Sequence, residues 1–193
     1  MTNLIIDFSS VIDITDEQFF QLCQINKEIR FERNAKGDVI IVPLMGGKTG
    51  MINAEICGNL GMWNRQTKLG VCFNSSLGCQ LPNGAVRSPS CSWIPIEKWN
   101  NLTPEQREKF LPFCPDFLVE LISPSDSLFD TRKKMKEYLE NGMQLGWLIN
   151  PKNQQVEIYH AGKDVEILDS PKTLSGEDVL PEFILDMTII MDN

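Results

Sequence analysis

From Phe117 to Ile122 the chain reads FLVELI, and only Glu120 in that run is polar. The run is too short for a helix and does not alternate. It therefore fits an interior strand covered on both faces. A carboxylate there loses hydration at high cost unless a cation or a metal ion compensates it. A salt bridge to an interior Arg or Lys would meet that need as well as an ion would, and the strand alone does not choose. Asp116, Leu118, Glu120 and Ile122 share one strand face. Asp116 and Glu120 are about 13 Å apart on it, too far to hold one ion together. Asp116, at the strand's start, suits a turn or a supporting role.

The rest of the chain supplies layers for such a strand. Thr15 and Gln18 make a capping box for a helix to about Lys27. A β-hairpin follows, with Ile29, Phe31 and Arg33 on its first strand, a turn at Ala35-Lys36-Gly37, and the apolar run Val39–Leu44. Ile52, Ile56, Leu60 and Trp63 recur at helical spacing between Lys48 and Lys68. Short strands with an Asn83-Gly84 turn come next, then a brief helix at Thr103-Pro104. Ser125 or Ser127 caps a helix that Gly142 ends. LGWLIN, QVEIYHAG and KDVEILD read as further strands, and the tail from Pro181 through Phe183, Leu185 and Met187 packs back. The 193 residues suit one α/β (α+β) domain spanning 1–193, a mixed central sheet flanked by helices.

Bulk properties narrow the function. The formal net charge of −8 opposes a protein that coats nucleic acid through its overall charge, but allows a local basic patch. The six cysteines include no C-x-x-C pair, and His160 is the single histidine, so a zinc site is not expected. The start MTNLIIDFSS has no basic region and only a short apolar run, and no apolar stretch approaches a membrane span. A cytoplasmic protein with reduced thiols is the expectation. GGKTG at 46–50 lacks the leading glycine of a phosphate-binding loop.

Candidate charged residues cluster after the apolar strand. Arg132, Lys133, Lys134 and Lys136 crowd one helix whose buried face carries Leu128, Met135 and Leu139, with Tyr138 close by. Such a run is most simply a solvated face. Lys134, however, lies about 40° around the helix from Tyr138, at the edge of the buried face, and can reach inward. Lys133 points more toward solvent. Glu55 lies beside the apolar stripe of its helix, where an ordinary surface glutamate is the plain reading.

Several segments together resemble one family. NAEI at 53–56, GMWNRQTKLG at 61–70, LPNGAVRSP at 81–89, LTPEQREKF at 102–110, PDFLVELISPSDS at 115–127, KMKEYLENGMQLGWLINP at 134–151 and VLPEF at 179–183 are similar to the Uma-two family. These are restriction-endonuclease-like proteins of the PD-(D/E)xK superfamily, and the likeness runs in order along nearly the whole chain. It implies a restriction-endonuclease-like core and hydrolysis of DNA phosphodiester bonds with Mg²⁺ or Mn²⁺. Carried over by position, Glu120 is the glutamate of the ExK element, and Glu55 assists the metal. Ile122 stands where the classical lysine would, and the lysine moves to Lys134 on the next helix. Where family members read RSPD, this chain has Arg87-Ser88-Pro89-Ser90, so Ser90 replaces an expected metal-binding aspartate.

The resemblance thus implies a metal-dependent endonuclease with Glu120, Glu55 and position 90 around the ion and Lys134 stabilising charge. Arg87, Arg132, Lys133 and Lys136 would hold the phosphate backbone. By analogy such nucleases pair as homodimers to cut two strands. Ser90 weakens the ion site, because a neutral hydroxyl is a poor substitute for an anionic ligand. The alternative is an inactive nuclease-fold protein that binds nucleic acid or a protein partner.

Overall fold

A computed structural model describes residues 4–8 and 11–191 of the chain. The N-terminal part builds a small sheet. Strand β1 (Leu4–Ile6) is followed by helix α1 (Asp16–Ile25), then the hairpin strands β2 (Arg30–Arg33) and β3 (Val39–Val42). Thr15 caps α1: its hydroxyl accepts from the Gln18 N–H at 3.3 Å, and the Gln18 side chain accepts from the Thr15 N–H at 3.0 Å. The hairpin pairs Arg33 with Val39, and Gly37 takes the positive φ of +93° that its turn requires. The 21-residue helix α2 (Gly47–Thr67) follows.

Strands β4 (Gly70–Asn74), β5 (Cys79–Gln80), β6 (Val86–Arg87) and β7 (Cys91–Pro95) come next, then the short helices α3 (Ile96–Asn100) and α4 (Pro104–Arg107). The predicted capping box at Thr103 is present on α4, while α3 is an element that sequence reading did not anticipate. The apolar run becomes β8 (Phe117–Leu121), followed by helix α5 (Leu128–Glu140) and strands β9 (Leu145–Asn150), β10 (Gln155–His160) and β11 (Glu166–Asp169). The tail forms the small pair β12 (Thr173–Ser175) and β13 (Ile184–Asp186), then α6 (Thr188–Met191).

Two larger sheets result. One runs β1-β3-β2-β6-β5 and the other β11-β10-β9-β8-β7-β4. Within the second, β8 and β9 are parallel and the other neighbours antiparallel, so the sheet is mixed as expected. Parallel neighbours require a crossover, and α5 supplies it. Every residue of β8 and β9 is buried.

The sheet is covered on both faces. Ile52, Ile56, Leu60 and Trp63 of α2 pack with Phe117, Val119 and Trp147 on one side. Met135 and Tyr138 of α5 pack with Leu118, Leu148 and Tyr159 on the other. The tail closes the α2 side: Phe183 stacks on Trp147 at 6.0 Å between centroids, and the Trp63 indole donates to the Pro181 carbonyl at 2.9 Å. Alternation along β8 thus sends Glu120 to the α5 side. All six cysteines are free, and among the described residues no helix is long and apolar enough to cross a membrane.

Candidate active site

Glu120 is only 7% exposed, and Lys134 and Tyr138 reach it from α5, one turn apart. The Lys134 ammonium lies 2.8 Å from Glu120 Oε1, and the Tyr138 hydroxyl donates to the same oxygen at 3.0 Å. Lys134 also donates to Glu32 Oε1 at 2.7 Å. One ammonium therefore bridges two buried carboxylates that are 88 residues apart in the chain.

Pairing between β2 and β6 fixes Glu32 in this position. Arg33 pairs with Val86, so the next residues of the β6 strand end lie against Glu32. The Ser88 N–H donates to Glu32 Oε1 at 3.0 Å, and the Arg87 guanidinium lies 3.3 Å from Oε2. Arg87 in turn donates through Nε to Glu137 of α5 at 2.6 Å. The result is a connected set of ionisable groups joining hairpin, β6, β8 and α5. Glu32, Arg87, Ser90, Glu120 and Lys134 all line one cavity of about 460 Å³, which opens between the hairpin sheet and α5.

The two carboxylates differ in basicity. Burial works to raise the pKa of Glu32, but Lys134 and Arg87 outweigh it and hold the group below the usual carboxylate range. Burial raises that of Glu120, and Lys134 only partly offsets this while the charge on Glu32 adds to it, so Glu120 lies above its ordinary value. Burial opposes the charge on Lys134, but Glu120 and Glu32 together prevail and raise its pKa, so it stays an ammonium. Tyr138 is pushed well up by burial and by Glu120, and it remains a neutral donor.

Of the residues singled out from sequence, Glu120, Lys134, Tyr138, Arg87 and Ser90 come together here. Glu55 does not line the cavity: it is partly buried on α2, and its carboxylate accepts from the Asn59 amide at 2.7 Å. Asp116 lies at the far end of β8, paired with Lys98 at 2.9 Å. Arg132, Lys133 and Lys136 are exposed on α5, and only Lys133 among them reaches the cavity rim. Glu32 was missed. The sequence offers only a weak signal, that Glu32 is the one acid on the two hairpin strands, and the structure sets it opposite Ile40.

The donor set can be compared with what a divalent ion needs. Glu32, Glu120 and the Ser90 hydroxyl offer only oxygen, which suits Mg²⁺ or Mn²⁺ and not zinc. Ser90 is 5% exposed, and its hydroxyl accepts from the Leu121 N–H at 3.1 Å. Among the described residues no group of three or more His, Cys, Asp or Glu side chains could hold a metal. Among the described residues a cage of three or more such side chains is therefore not formed. Two carboxylates on one cavity wall do match the way Mg²⁺ is held when waters and substrate phosphates complete its shell.

Comparisons with known proteins agree with this geometry at the level of the fold. A crystal structure of "a putative nuclease belonging to DUF820" from Anabaena variabilis superposes with a TM-score of 0.73 at 22% identity, over 86% of this chain and 91% of that one. No curated protein matches the chain. The family model Uma2, described as "Putative restriction endonuclease", matches residues 16–188, from the first turn of α1 to the start of α6. With the mixed sheet, the crossover helix and the Glu120–Lys134 pair inside that span, the chain belongs to the Uma2 family and has the fold of the PD-(D/E)xK nuclease superfamily.

Proposed function

We propose that this protein is a Mg²⁺-assisted nuclease that hydrolyses DNA phosphodiester bonds, weakened at the ion-binding step by Ser90. The observation that carries the reading is the Lys134 ammonium, 2.7 and 2.8 Å from Glu32 and Glu120 beside an open cavity. Buried charges that serve structure alone are better replaced by apolar side chains of similar volume. Their position around a solvent-connected hollow supports a chemical role.

Glu32 and Glu120 would hold the ion, which would supply a bound water of lowered pKa and polarise the phosphate. Glu32 stays ionised and keeps Lys134 and Arg87 in place. Glu120, fixed through Oε1 by Lys134 and Tyr138, would share the ion with Glu32. Lys134, held as an ammonium, cannot act as a base and instead offsets the negative charge that grows on the phosphate oxygens. Arg87 and Lys133 line the same cavity and would orient the strand's phosphates.

A second reading draws on Ser90 and the missing third acid: a non-cleaving protein that keeps the fold and binds nucleic acid. Calorimetry with Mg²⁺ and Mn²⁺, together with cleavage of labelled DNA, separates the two. The nuclease reading expects weak ion binding and slow Mn²⁺-dependent cleavage by the wild type. It expects roughly tenfold or greater gains in both for Ser90→Asp, and loss of cleavage in Glu120→Ala. A wild type that neither binds an ion in the presence of DNA nor cuts it sinks the first reading and leaves the second.

A further inference from the structure

The opposite side of α5 borders a second hollow, of about 400 Å³. Phe129, Arg132, Lys133 and Lys136 line it from the helix, and Tyr159 of β10 and Ile167 of β11 line it from the sheet. We infer that this hollow is a binding strip for single-stranded nucleic acid, separated by Lys133 from the cavity that holds Glu32 and Glu120. The inference rests on the nuclease reading for its substrate class, but not for its binding chemistry.

Spacing makes the strip. Phe129, Lys133 and Lys136 recur at i, i+4 and i+7, one stripe of a helix, and Arg132 lies next to it. Arg132 is paired with Glu157 of β10 at 2.7 Å, whereas neither Lys133 nor Lys136 has a carboxylate partner among the described residues. The lining therefore carries an excess of positive charge in a chain whose net charge is −8. Phe129 is 65% exposed, and the Lys133 ammonium lies 4.2 Å from its ring centroid. Ile167, on the edge strand, is 53% exposed and extends the apolar floor.

An exposed ring among lysines is the recognition chemistry of a single strand: bases stack on the ring while ammonium groups meet the phosphates. A duplex hides its base faces and would leave Phe129 unused. An acidic peptide would satisfy the lysines but gain nothing specific from the ring. The first cavity adjoins the strip at Lys133, which lines both hollows. A strand lying along α5 would thus pass from the strip to the carboxylates.

The test is fluorescence anisotropy of the full chain in EDTA, where no cleavage occurs. The probes are a labelled oligothymidylate, a duplex of the same length and a polyglutamate peptide. The oligothymidylate should bind best. Lys133→Ala with Lys136→Ala should weaken it about tenfold or more and flatten its salt dependence, each lost phosphate contact removing about 0.7 from the log–log slope. Phe129→Ala should weaken it about fivefold or more with the salt slope unchanged, because stacking releases no counterions. All three positions are exposed, and thermal melts confirm that the variants fold. Unchanged oligothymidylate affinity in these variants, or equal binding of duplex or polyglutamate, overturns the strip. Wild-type protein that binds the strand yet never cleaves it with Mn²⁺ keeps the strip and removes the hydrolytic reading. Cleavage whose KM ignores all three substitutions does the reverse.

Discussion

Helix α5 divides two hollows that handle charge in opposite ways. On the inner side, Glu32, Glu120, Lys134 and Arg87 are largely removed from water, and each is within 3.3 Å of an opposite charge. On the outer side, Arg132, Lys133 and Lys136 are exposed, and only Arg132 has a carboxylate partner among the described residues. The contrast follows from the dielectric. Ionised groups shielded from water must compensate one another, so their geometry becomes fixed and removing a partner that others share is costly. Exposed groups are compensated by water and salt, so they remain available to a ligand and contribute little to the fold. A single step along the helix decides which regime applies: Lys134 turns inward to two carboxylates, while Lys133 sits at the boundary and lines both hollows.

The sharpest way to break this contrast is to remove the shared cation. Lys134→Met should cost about 3–5 kcal/mol, because it leaves two buried carboxylates without their common partner. Urea unfolding at neutral pH measures the loss. The deficit should shrink in acid, where Glu120, with its raised pKa, is the first of the two to become neutral. A cost below about 1 kcal/mol, the range of exposed ion pairs, would mean that the inner cluster is as well solvated as the outer strip.

The two inner carboxylates should then behave with opposite signs. The pKa of Glu32 is depressed by Lys134 and Arg87. Its stabilising contribution is therefore present above the ordinary value of 4.5 and is lost as pH falls through its own lower value. Glu32→Gln should cost about 1–3 kcal/mol at pH 7, with the gap to wild type closing in acid. The pKa of Glu120 is raised by burial and by Glu32. Its contribution is complete below 4.5 and is lost as pH rises through its higher folded value. Glu120→Gln should therefore match or exceed wild-type stability at pH 7, and its advantage should grow as pH rises from 4.5. Urea midpoints for both variants across pH 3.5 to 8 check this, and parallel curves would contradict it.

Much of the inner site was legible because its signals are local. An acid inside FLVELI can only be a buried carboxylate, and the turn-by-turn geometry of α5 places Lys134 beside Tyr138. The interior strands, the crossover helix and the returning tail follow from the same periodicities. Glu32 was not legible in that way. It is held by a hairpin whose docking on β6 is a long-range event, and the sequence marks it only as an acid opposite Ile40. Glu55 shows the converse. Its helix is placed as expected, but it lies six positions beyond Thr49, the α2 residue that lines the cavity, and its carboxylate turns to Asn59 instead. The aromatic member of the outer strip went unread because Phe129 looks like a core residue until β10 and β11 are seen to leave it uncovered.

The smallest effects belong to the outer side, and they sharpen the contrast by being small. Glu157 is only 4% exposed, and it accepts from both Arg132 and the Tyr159 hydroxyl, the latter at 2.7 Å. Arg132→Ala removes one of those partners but leaves the hydroxyl in place, and the Arg132 side chain is 44% exposed, so water already screens the pair. The cost should be about 1 kcal/mol or less. Lys136→Ala removes a charge with no carboxylate partner among the described residues, and stability should stay within about 0.5 kcal/mol of wild type. Thermal unfolding of the two variants beside Lys134→Met gives the ranking directly. If Lys136→Ala destabilised the protein as much as Arg132→Ala, the outer lysine would be part of the fold, and a strip left open for a ligand would no longer describe that face of α5.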